Sequence, residues 1–286
     1  MKAIDFHVHP STREYLELAL GPFFEQTQKF FKARIAVRTE EEMVAELEAE
    51  GVFGVLLAWD AETYTGLPPV SNDYVASVVR RFPERFVGFA SVDPHKGHAA
   101  VEELERAVRE LGLVGLKLHP VAQNFRPDDD RFYPLFAKAA ELGIPVLIHT
   151  GNTGLGAGTP GGMGMKLERA RPIYLDTLAA EFPELTIVGA HPSWPWQDEM
   201  IMIALHKSNV YIDLSGWSPK YFPEALVREM KGRLQDKVLF GTDYPFITHA
   251  KWFEAFESLG VEEKVARKIL IGNACKLLGL DLESFS

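Results

Sequence analysis

The sequence is poor in cysteine and has no long apolar run. Its single cysteine, Cys275, cannot form a disulfide within the chain. It lies in the apolar, helix-periodic stretch Val265–Leu280, which predicts a buried helix thiol rather than a nucleophile. No apolar run approaches the roughly 20 residues that a membrane-spanning helix needs, and no charged segment followed by an apolar one opens the sequence. We therefore expect a soluble, cytoplasmic protein without membrane association.

Basic residues are also scarce. The chain has 30 lysines and arginines against 40 aspartates and glutamates, which gives a formal net charge of −10. No lysine or arginine block resembles a nucleic-acid-binding surface, so we expect a small-molecule partner and no nucleic acid. Hydrophobic residues make up 47% of the chain, which suffices for a packed core. Because α/β barrels of this length commonly form one unit, we predict one domain over residues 1–286.

Short apolar, β-branched segments alternate with longer segments of helical periodicity, which is typical of parallel βαβ units. The eight proposed strands are Lys2–His9, Val52–Trp59, Phe86–Val92, Val114–His119, Ile144–His149, Leu185–His191, Val210–Leu214 and Val238–Thr242. The proposed helices are Glu40–Glu50, Asn72–Arg81, His98–Leu111, Arg131–Leu142, Arg171–Phe182, Trp196–His206, Pro223–Met230, Lys251–Leu259 and Val261–Leu278. Eight such units predict the α/β class and a (β/α)8 TIM barrel.

Two connections are longer than a barrel requires. Residues 10–39 contain Phe23, Phe24, Phe30 and Phe31, and they predict either a helical lid over the barrel mouth or a helical pair packed on the barrel side. Residues 152–166 are glycine-rich, which permits unusual backbone angles and motion above the mouth. A passive flexible loop is the alternative for this second segment.

Histidines end four of the proposed strands. His7 and His9 are separated by one residue, and the two-residue period of a strand places both imidazoles on one face. Such a pair at the end of the first strand favours metal binding. His119, His149 and His191 end three further strands, so five of the nine histidines gather where the active sites of this fold form. The sequence therefore predicts the active site at this end of the barrel.

Further candidates follow the last three strands. Asp243 can ligate a metal, accept a proton from bound water or do both, and on its own it could equally be a turn or cap residue. Trp194 and Trp217 either line a binding site for a planar or apolar substrate or pack against helices. The other histidines are expected at surface or capping positions, and the first of them could instead enter the mouth: His95, His98, His206 and His249.

Taken in order, these elements resemble the amidohydrolase superfamily. They are Asp5-Phe6-His7-Val8-His9 on the first strand, His149 at the end of the fifth, His191-Pro192 after the sixth and Gly241-Thr242-Asp243-Tyr244-Pro245 at the eighth. More narrowly, they are similar to the branch that contains aminocarboxymuconate-semialdehyde decarboxylase, aromatic-acid decarboxylases and many metal-dependent hydrolases. The C-terminal stretch Lys268–Leu280 fits the same branch, so the resemblance spans nearly the whole chain.

The resemblance implies a ligand set. His7, His9, His149 and Asp243 would hold one divalent metal ion, with Zn²⁺ as the first expectation and Mn²⁺ as the alternative, and water would occupy an open position. His191 would stay off the metal and transfer protons. Neutral imidazoles with one carboxylate suit zinc, and an open position lowers the pKa of bound water towards roughly 7. By analogy with family members, a homodimer is also expected.

Lys117 leaves the metal count open. Related amidohydrolases with two metals use a carboxylated lysine at the end of the fourth strand. Lys117 lies on that strand, two residues before His119 and so on the same face. The favoured interpretation is that Lys117 or His119 contacts an anionic or carbonyl group of the substrate. The alternatives are a second metal and a residue of the barrel interior with a satisfied polar tip.

Two reactions fit these residues. The leading hypothesis is hydrolysis of an ester, lactone, amide or thioester by metal-activated water, with Asp243 or His191 managing protons. The alternative is nonoxidative decarboxylation of a small unsaturated or aromatic acid, whose ring or enol carbon is protonated before carbon dioxide leaves. A remote third hypothesis is a noncatalytic binding protein on the same barrel, which has no need for convergent ligands. The sequence does not identify the substrate.

Overall fold

Eight parallel strands occur in the predicted chain order. The computed structural model describes residues 2–285. The strands are β1 (Ala3–Val8), β2 (Val52–Leu57), β3 (Phe86–Phe89), β4 (Leu116–Leu118), β5 (Val146–His149), β6 (Ile187–Ala190), β7 (Val210–Asp213) and β8 (Val238–Leu239). All eight lie within their predicted segments and are shorter than predicted. For example, β5 begins two residues late and β8 ends three residues early.

The helices lie between the strands. The α-helices are α1 (Phe23–Phe31), α2 (Glu40–Glu50), α3 (Glu62–Thr65), α4 (Asn72–Arg81), α5 (His98–Arg109), α6 (Tyr133–Glu141), α7 (Ile173–Glu181), α8 (Gln197–His206), α9 (Glu224–Lys231), α10 (His249–Glu257), α11 (Glu263–Arg267) and α12 (Asn273–Leu278). The predicted single helix Val261–Leu278 is wrong in one respect, because a π-helical turn, Lys268–Gly272, interrupts it. It ends as predicted at Leu278, and the next residue, Gly279, has a φ of 64°, the left-handed conformation that glycine adopts readily.

The strands close into a barrel. One ladder contains β1 to β3 and the other β4 to β8. They are joined on one side where the Ala90 N–H donates to the Gly115 carbonyl at 2.8 Å. On the other side the His9 N–H donates to the Tyr244 carbonyl at 2.9 Å, beside a parallel bridge between Val8 and Tyr244. The predicted (β/α)8 fold is therefore confirmed, with no long free sheet edge among the described strands.

The first strand carries one extra residue just before the mouth. Asp5 pairs with Gly54 of β2, yet Val8 pairs with Leu56, so three steps along β1 match two steps along β2. The Asp5 carboxylate accepts the N–H of His7 at 2.9 Å and so provides that amide with a partner where the ladder is irregular. This shift occurs directly beside the two predicted metal ligands.

Two apolar layers hold the barrel together. The larger one lies between the strands and the surrounding helices. The smaller one is formed by strand residues and by residues near the C-terminus: Ile4, Phe6, Phe53, Val55, Leu57, Phe89, Leu147, Val188, Ala190, Leu239, Ile271, Ala274, Cys275 and Phe285. Cys275 is buried in α12, in agreement with the prediction of a buried helix thiol. Among the described residues, none of the helices has the length and apolar character needed to cross a membrane.

The segment 10–39 folds as a π-helical turn, Glu14–Ala19, followed by α1. The turn buries Tyr15 and Leu16, while α1 buries Phe23 and Thr27. The next helix, α2, begins at a capping box in which the Thr39 side chain accepts the Glu42 N–H and the Glu42 side chain accepts the Thr39 N–H. This cap fixes the residue at which the segment 10–39 ends and the first barrel helix, α2, begins.

Candidate active site

The C-terminal ends of the strands surround a small cavity. Its free volume is about 40 Å³, which is space for a few water molecules. We call it the inner cavity. It is lined by His7, His9, Tyr15, Leu20, Thr27, Phe30, Phe31, Trp59, Lys117, His119, His149, Asn152, Thr153, Gly154, Leu155, His191, Gly216, Trp217, Asp243 and Phe246. Both long connections, 10–39 and 152–166, therefore contribute to its walls.

Three of the predicted ligands lie close together. The Nε2 atoms of His7 and His9 lie 3.4 and 3.5 Å from one carboxylate oxygen, Oδ1 of Asp243. All three residues are buried, and their donor atoms lie within 4.8 Å of one another, as in a site that can hold a metal ion. Two imidazoles and a carboxylate are a common donor set for a divalent transition metal.

A second group shares His7 with the first. The Nδ1–H of His7 donates to Oδ2 of Asp213 at 2.8 Å. The Ser215 hydroxyl lies 2.6 Å from the same carboxylate oxygen and 2.9 Å from Nδ1 of both His7 and His191. The donor atoms of His7, His191 and Asp213 also lie within 4.8 Å of one another. Because Nδ1 of His7 is committed to Asp213, its Nε2 lone pair is the one that faces the cavity.

Hydrogen bonds also assign the tautomers of His191 and His149. The Nδ1–H of His191 donates to the Ser215 carbonyl at 3.0 Å, which leaves its Nε2 as an acceptor. That atom accepts the Nδ1–H of His149 at 2.9 Å. The remaining atom, Nε2 of His149, is a buried lone pair without a hydrogen-bond partner. His149 stands apart from both metal-capable groups in the described residues, although its free lone pair suits a ligand.

The buried charges shift one another's pKa. Burial and, to a smaller extent, the nearby Lys117 ammonium lower the pKa of His191 to about 4, against the opposing effects of Asp213 and of the hydrogen bond with Ser215. Burial raises the pKa of the Asp243 carboxyl, and Lys117 opposes that rise. Burial likewise lowers the pKa of Lys117, whose Nζ donates to Nε2 of His7 at 3.1 Å. The site therefore favours neutral imidazoles and a carboxyl group that holds its proton more tightly than usual.

The backbone is unusual at two of the predicted catalytic residues. His191 has a φ of 73° and Asp243 a φ of 63°, which L-residues rarely adopt. Such conformations are held by surrounding structure and cluster at functional sites. Neighbouring glycines permit the close packing: a Cβ on Gly241 would lie 2.2 Å from Oδ1 of Asp213, and one on Gly216 would lie 2.6 Å from Nδ1 of His191.

Sequence reasoning placed one histidine wrongly. His249, expected at the surface or in a cap, is buried, and its Nε2 donates to Oδ2 of Asp5 at 2.8 Å. Asp5 also accepts the N–H and hydroxyl of Thr242, so it ties β1 to the segment that carries Asp243. His95, His98 and His206 are exposed, as predicted.

The substrate candidates divide into two groups. Lys117, His119 and Trp217 line the inner cavity. Trp194 lies outside that lining, 49% exposed, with its ring 6.1 Å from the ring of Trp217. His119 stacks on His149 with their ring centroids 3.8 Å apart.

Sequence reasoning missed four residues of the site. Asp213 and Ser215 position His7 and His191. Tyr15 stacks on His9 at 4.4 Å, and Trp59 lies edge-on to the same ring. A carboxylate inside the apolar strand Val210–Leu214 was the only signal for any of them.

Comparisons with known proteins agree on a family. The family model described as Amidohydrolase matches residues 4–280. A curated relative, 2-amino-3-carboxymuconate-6-semialdehyde decarboxylase of Dictyostelium discoideum, is 28% identical over 241 residues, which cover 73% of this chain and 66% of that protein. The chain thus spans about two thirds of the length of this relative.

Solved structures share the fold. A TIM-barrel protein of Bordetella bronchiseptica has a TM-score of 0.82 and 27% identity, with 98% of this chain and 99% of that chain covered. A dihydroxybenzoic acid decarboxylase from Polaromonas, solved with bound manganese and an inhibitor, has a TM-score of 0.71 and 22% identity, with 99% of this chain and 98% of that chain covered.

These findings correct the leading functional hypothesis. Hydrolysis was favoured from the ligand pattern, but the curated relatives include gamma-resorcylate decarboxylases in addition to the Dictyostelium enzyme. The ligands alone could not separate the two reactions because both use an open metal site and a proton carrier. The prediction of an enzyme from this branch is confirmed. Since the family model covers almost the entire sequence, the chain belongs to the amidohydrolase family.

Proposed function

We propose that this protein is a metal-dependent decarboxylase of a small unsaturated or aromatic acid. The observation that carries the proposal is one buried cation, Lys117, beside the group formed by His7, His9 and Asp243. Lys117 is the single lysine or arginine that lines the inner cavity within residues 2–285. A decarboxylase needs such a cation to orient the carboxylate that leaves. The decarboxylase names of the relatives support the same reaction.

The donor atoms fit a divalent ion. Nε2 of His7 and His9, an oxygen of Asp243 and the unpartnered Nε2 of His149 are the four candidate ligands. The fourth requires a small movement of His149, which lies outside the group in the described side-chain arrangement. When bound, a divalent ion supplies Lewis acidity that stabilises negative charge on a substrate oxygen. Zn²⁺ and Mn²⁺ are the two ions we propose, the second because the Polaromonas relative contains manganese.

The residues of the chain can manage the proton that the reaction consumes. Decarboxylation forms a C–H bond at the carbon that carries the carboxylate, with electrons of the ring or enol double bond. The C–C bond then breaks, its electron pair restores that double bond, and carbon dioxide leaves. One oxygen of the Asp243 carboxylate, Oδ1, lies near both ligand histidines, and its other oxygen would exchange a proton with the substrate or with water. His191 stays neutral through its lowered pKa, and its Nε2 can accept or relay a proton.

The cavity walls would exclude water from this step. Tyr15, Trp59 and Phe31 provide aromatic surfaces around the polar groups. The free volume of about 40 Å³ is too small for an aromatic acid. We therefore propose that the segments 10–39 and 152–166 move outward when substrate enters and close over it afterwards, which is the lid role predicted from the sequence.

The test is carbon dioxide release by protein loaded with Mn²⁺ or Zn²⁺. The substrates are 2,6-dihydroxybenzoate, 5-carboxyvanillate and a wider panel of phenolic and unsaturated acids. We expect release from at least one acid. Replacing Lys117 with Met should lower kcat/KM by about 10- to 100-fold, the effect of losing one hydrogen bond to a charged group. Lys276→Met, which removes an exposed lysine of α12, is the matched control.

Two results would overturn the proposal. One is the absence of carbon dioxide release from every acid by protein that retains its metal. The other is equal turnover in Lys117→Met and the control variant. The homodimer and the cytoplasmic location stay predictions, and light scattering of the purified protein tests the first.

A further inference from the structure

A second, larger groove adjoins the inner cavity. Its volume is about 890 Å³, within the size range of small-molecule sites, whereas the inner cavity holds about 40 Å³. We call it the outer groove. Five residues line both spaces: Phe30, Phe31, Gly216, Trp217 and Phe246. A molecule seated in the outer groove could therefore extend one end towards the inner cavity.

The outer groove is basic although the protein is acidic. Lysines and arginines outnumber carboxylates along its walls: Lys32, Arg34, Arg38, Lys220 and Lys251 stand against Glu254. The whole chain, by contrast, has a formal net charge of −10. A cleft lined by one sign of charge concentrates ligands of the opposite sign. The outer groove thus favours an anionic occupant.

Most of these cations are free to bind a ligand. In the described part of the chain, the side chains of Lys32, Arg34 and Lys251 make no hydrogen bond or ion pair, and Lys220 contacts only the ring of Tyr221. Arg38 is the exception, since it pairs with Glu46 at 2.6 Å. Elsewhere many arginines are held by carboxylates, as Arg106 is by Asp73 and Glu103.

Aromatic surface accompanies the charge. Tyr221 is 63% exposed and Trp217 is half-buried between the two spaces. Exposed rings beside unpaired cations suit a ligand that carries several negative charges next to a planar group. A phosphate-bearing arm concentrates charge in this way, and lysine and arginine are its usual partners.

We propose that the outer groove binds a phosphate-bearing arm of the substrate, such as that of a nucleotide or a coenzyme A conjugate. This inference rests on the proposed function only for the end of the substrate that reacts, which would enter the inner cavity past Trp217. The binding of the phosphate-bearing arm is argued from the outer groove alone. It deepens that function by adding acids that carry a phosphate-bearing arm to the small free acids of the proposed reaction.

Binding without turnover tests the groove. Isothermal calorimetry would measure pyrophosphate, ADP and coenzyme A against the wild-type protein, the double variant Lys220→Glu/Lys251→Glu and a control, Lys264→Glu/Arg267→Glu. The control changes the net charge equally at exposed cations of α11 that lie outside the groove. We expect at least one phosphate compound to bind the wild-type protein, at least tenfold weaker binding to the groove variant and unchanged binding to the control. Added salt should weaken the wild-type binding.

The three compounds distinguish the carriers. Tighter binding of ADP or coenzyme A than of pyrophosphate supports the proposal and assigns part of the affinity to the aromatic surface. Equal affinity for all three compounds supports a site that recognises the phosphate groups alone. Equal loss in both double variants, or no binding of any phosphate compound, would overturn it. So would binding of an acidic peptide, but of no phosphate compound, at the same residues. None of these outcomes depends on decarboxylation, so the proposed function can fail or succeed separately.

Discussion

Nδ1 of His7 lies 2.8 Å from Oδ2 of Asp213, and this contact joins the first strand to the seventh at the mouth of the barrel. Ser215 touches the same carboxylate oxygen and also His191. His7, which would bind the metal, and His191, which would carry the proton, are therefore both positioned through the buried carboxylate of Asp213. The first prediction follows from this dependence.

Asp213→Asn should weaken divalent-metal binding. The amide cannot fix the His7 tautomer as a carboxylate does, and loss of such a partner lowers metal affinity by about 10- to 100-fold. Competition with a fluorescent chelator measures the affinity for Zn²⁺ and Mn²⁺. Asp176→Asn, at a partly buried position of α7 away from the site, is the control. Equal affinity in both variants would show that Asp213 does not position His7.

Metal content should separate ligands from proton carriers. We expect about one Zn²⁺ or Mn²⁺ per chain by plasma mass spectrometry, retained in His191→Ala and lost in Asp243→Ala. The reason is that Nε2 of His191 faces His149, whereas Asp243 touches both His7 and His9. Two ions per chain would instead implicate Lys117 as a carboxylated ligand. Metal retained in Asp243→Ala would remove that residue from the ligand set.

Gly216→Ala should displace the His191 side chain through a steric clash. The new Cβ would lie 2.6 Å from Nδ1 of His191 and 3.4 Å from Oδ2 of Asp243. Overpacking of this kind costs about 1–3 kcal/mol, and we expect a lower Tm together with a reduced kcat. Gly66→Ala is the matched control, because Gly66 has a similar φ of 70° but nothing within 4 Å of its would-be Cβ. Comparable turnover in the two variants would contradict the expected contact with His191.

The metal-free protein should lose stability in mild acid. Burial lowers the pKa of His191 from 6.5 to about 4, so the unfolded chain takes up a proton before the folded one does. This contribution to stability is fully present above pH 6.5 and is lost as the pH falls to about 4. Its slope is about 1.4 kcal/mol per pH unit for one group. The pKa values of His7, His9, His119 and His149 are lowered by burial too, which steepens the loss.

Urea unfolding between pH 8 and 4.5 measures this slope. His191→Gln should flatten it, and His206→Gln, at an exposed position of α8, should leave it unchanged. A slope that is identical in all three proteins would mean that His191 is not buried as a neutral imidazole.

Local patterns predicted most of the fold. The two-residue spacing of the histidines in β1 and the alternation of strands and helices depend only on residues that are close in the sequence. His7, His9 and the eight strands could therefore be predicted. The extra residue in β1 was not, because it is defined by pairing with β2, which lies more than forty residues away. The turn α3 was missed since four residues show no helical period.

The site was only partly predictable for the same reason. Asp213 and His249 act through contacts with His7 and Asp5, more than two hundred residues away in the sequence. A single buried carboxylate or histidine carries no local signal of its partner. The strand-end pattern identified His149 and His191, and the resemblance implied their roles. The ligand pattern could not separate hydrolysis from decarboxylation, because both reactions use an open metal site and a proton carrier.

The closure of the barrel at His9 and Tyr244 places the first and the eighth strand side by side at the candidate site. All eight strands must be synthesised and must leave the ribosome before Asp243 can meet the two histidines of the first strand. Metal capture is thus expected only after the eighth strand has been synthesised. An ion bound there would link the first strand to the eighth and stabilise the closed barrel. Chains truncated before Asp243 would lack both this stabilisation and the catalytic activity.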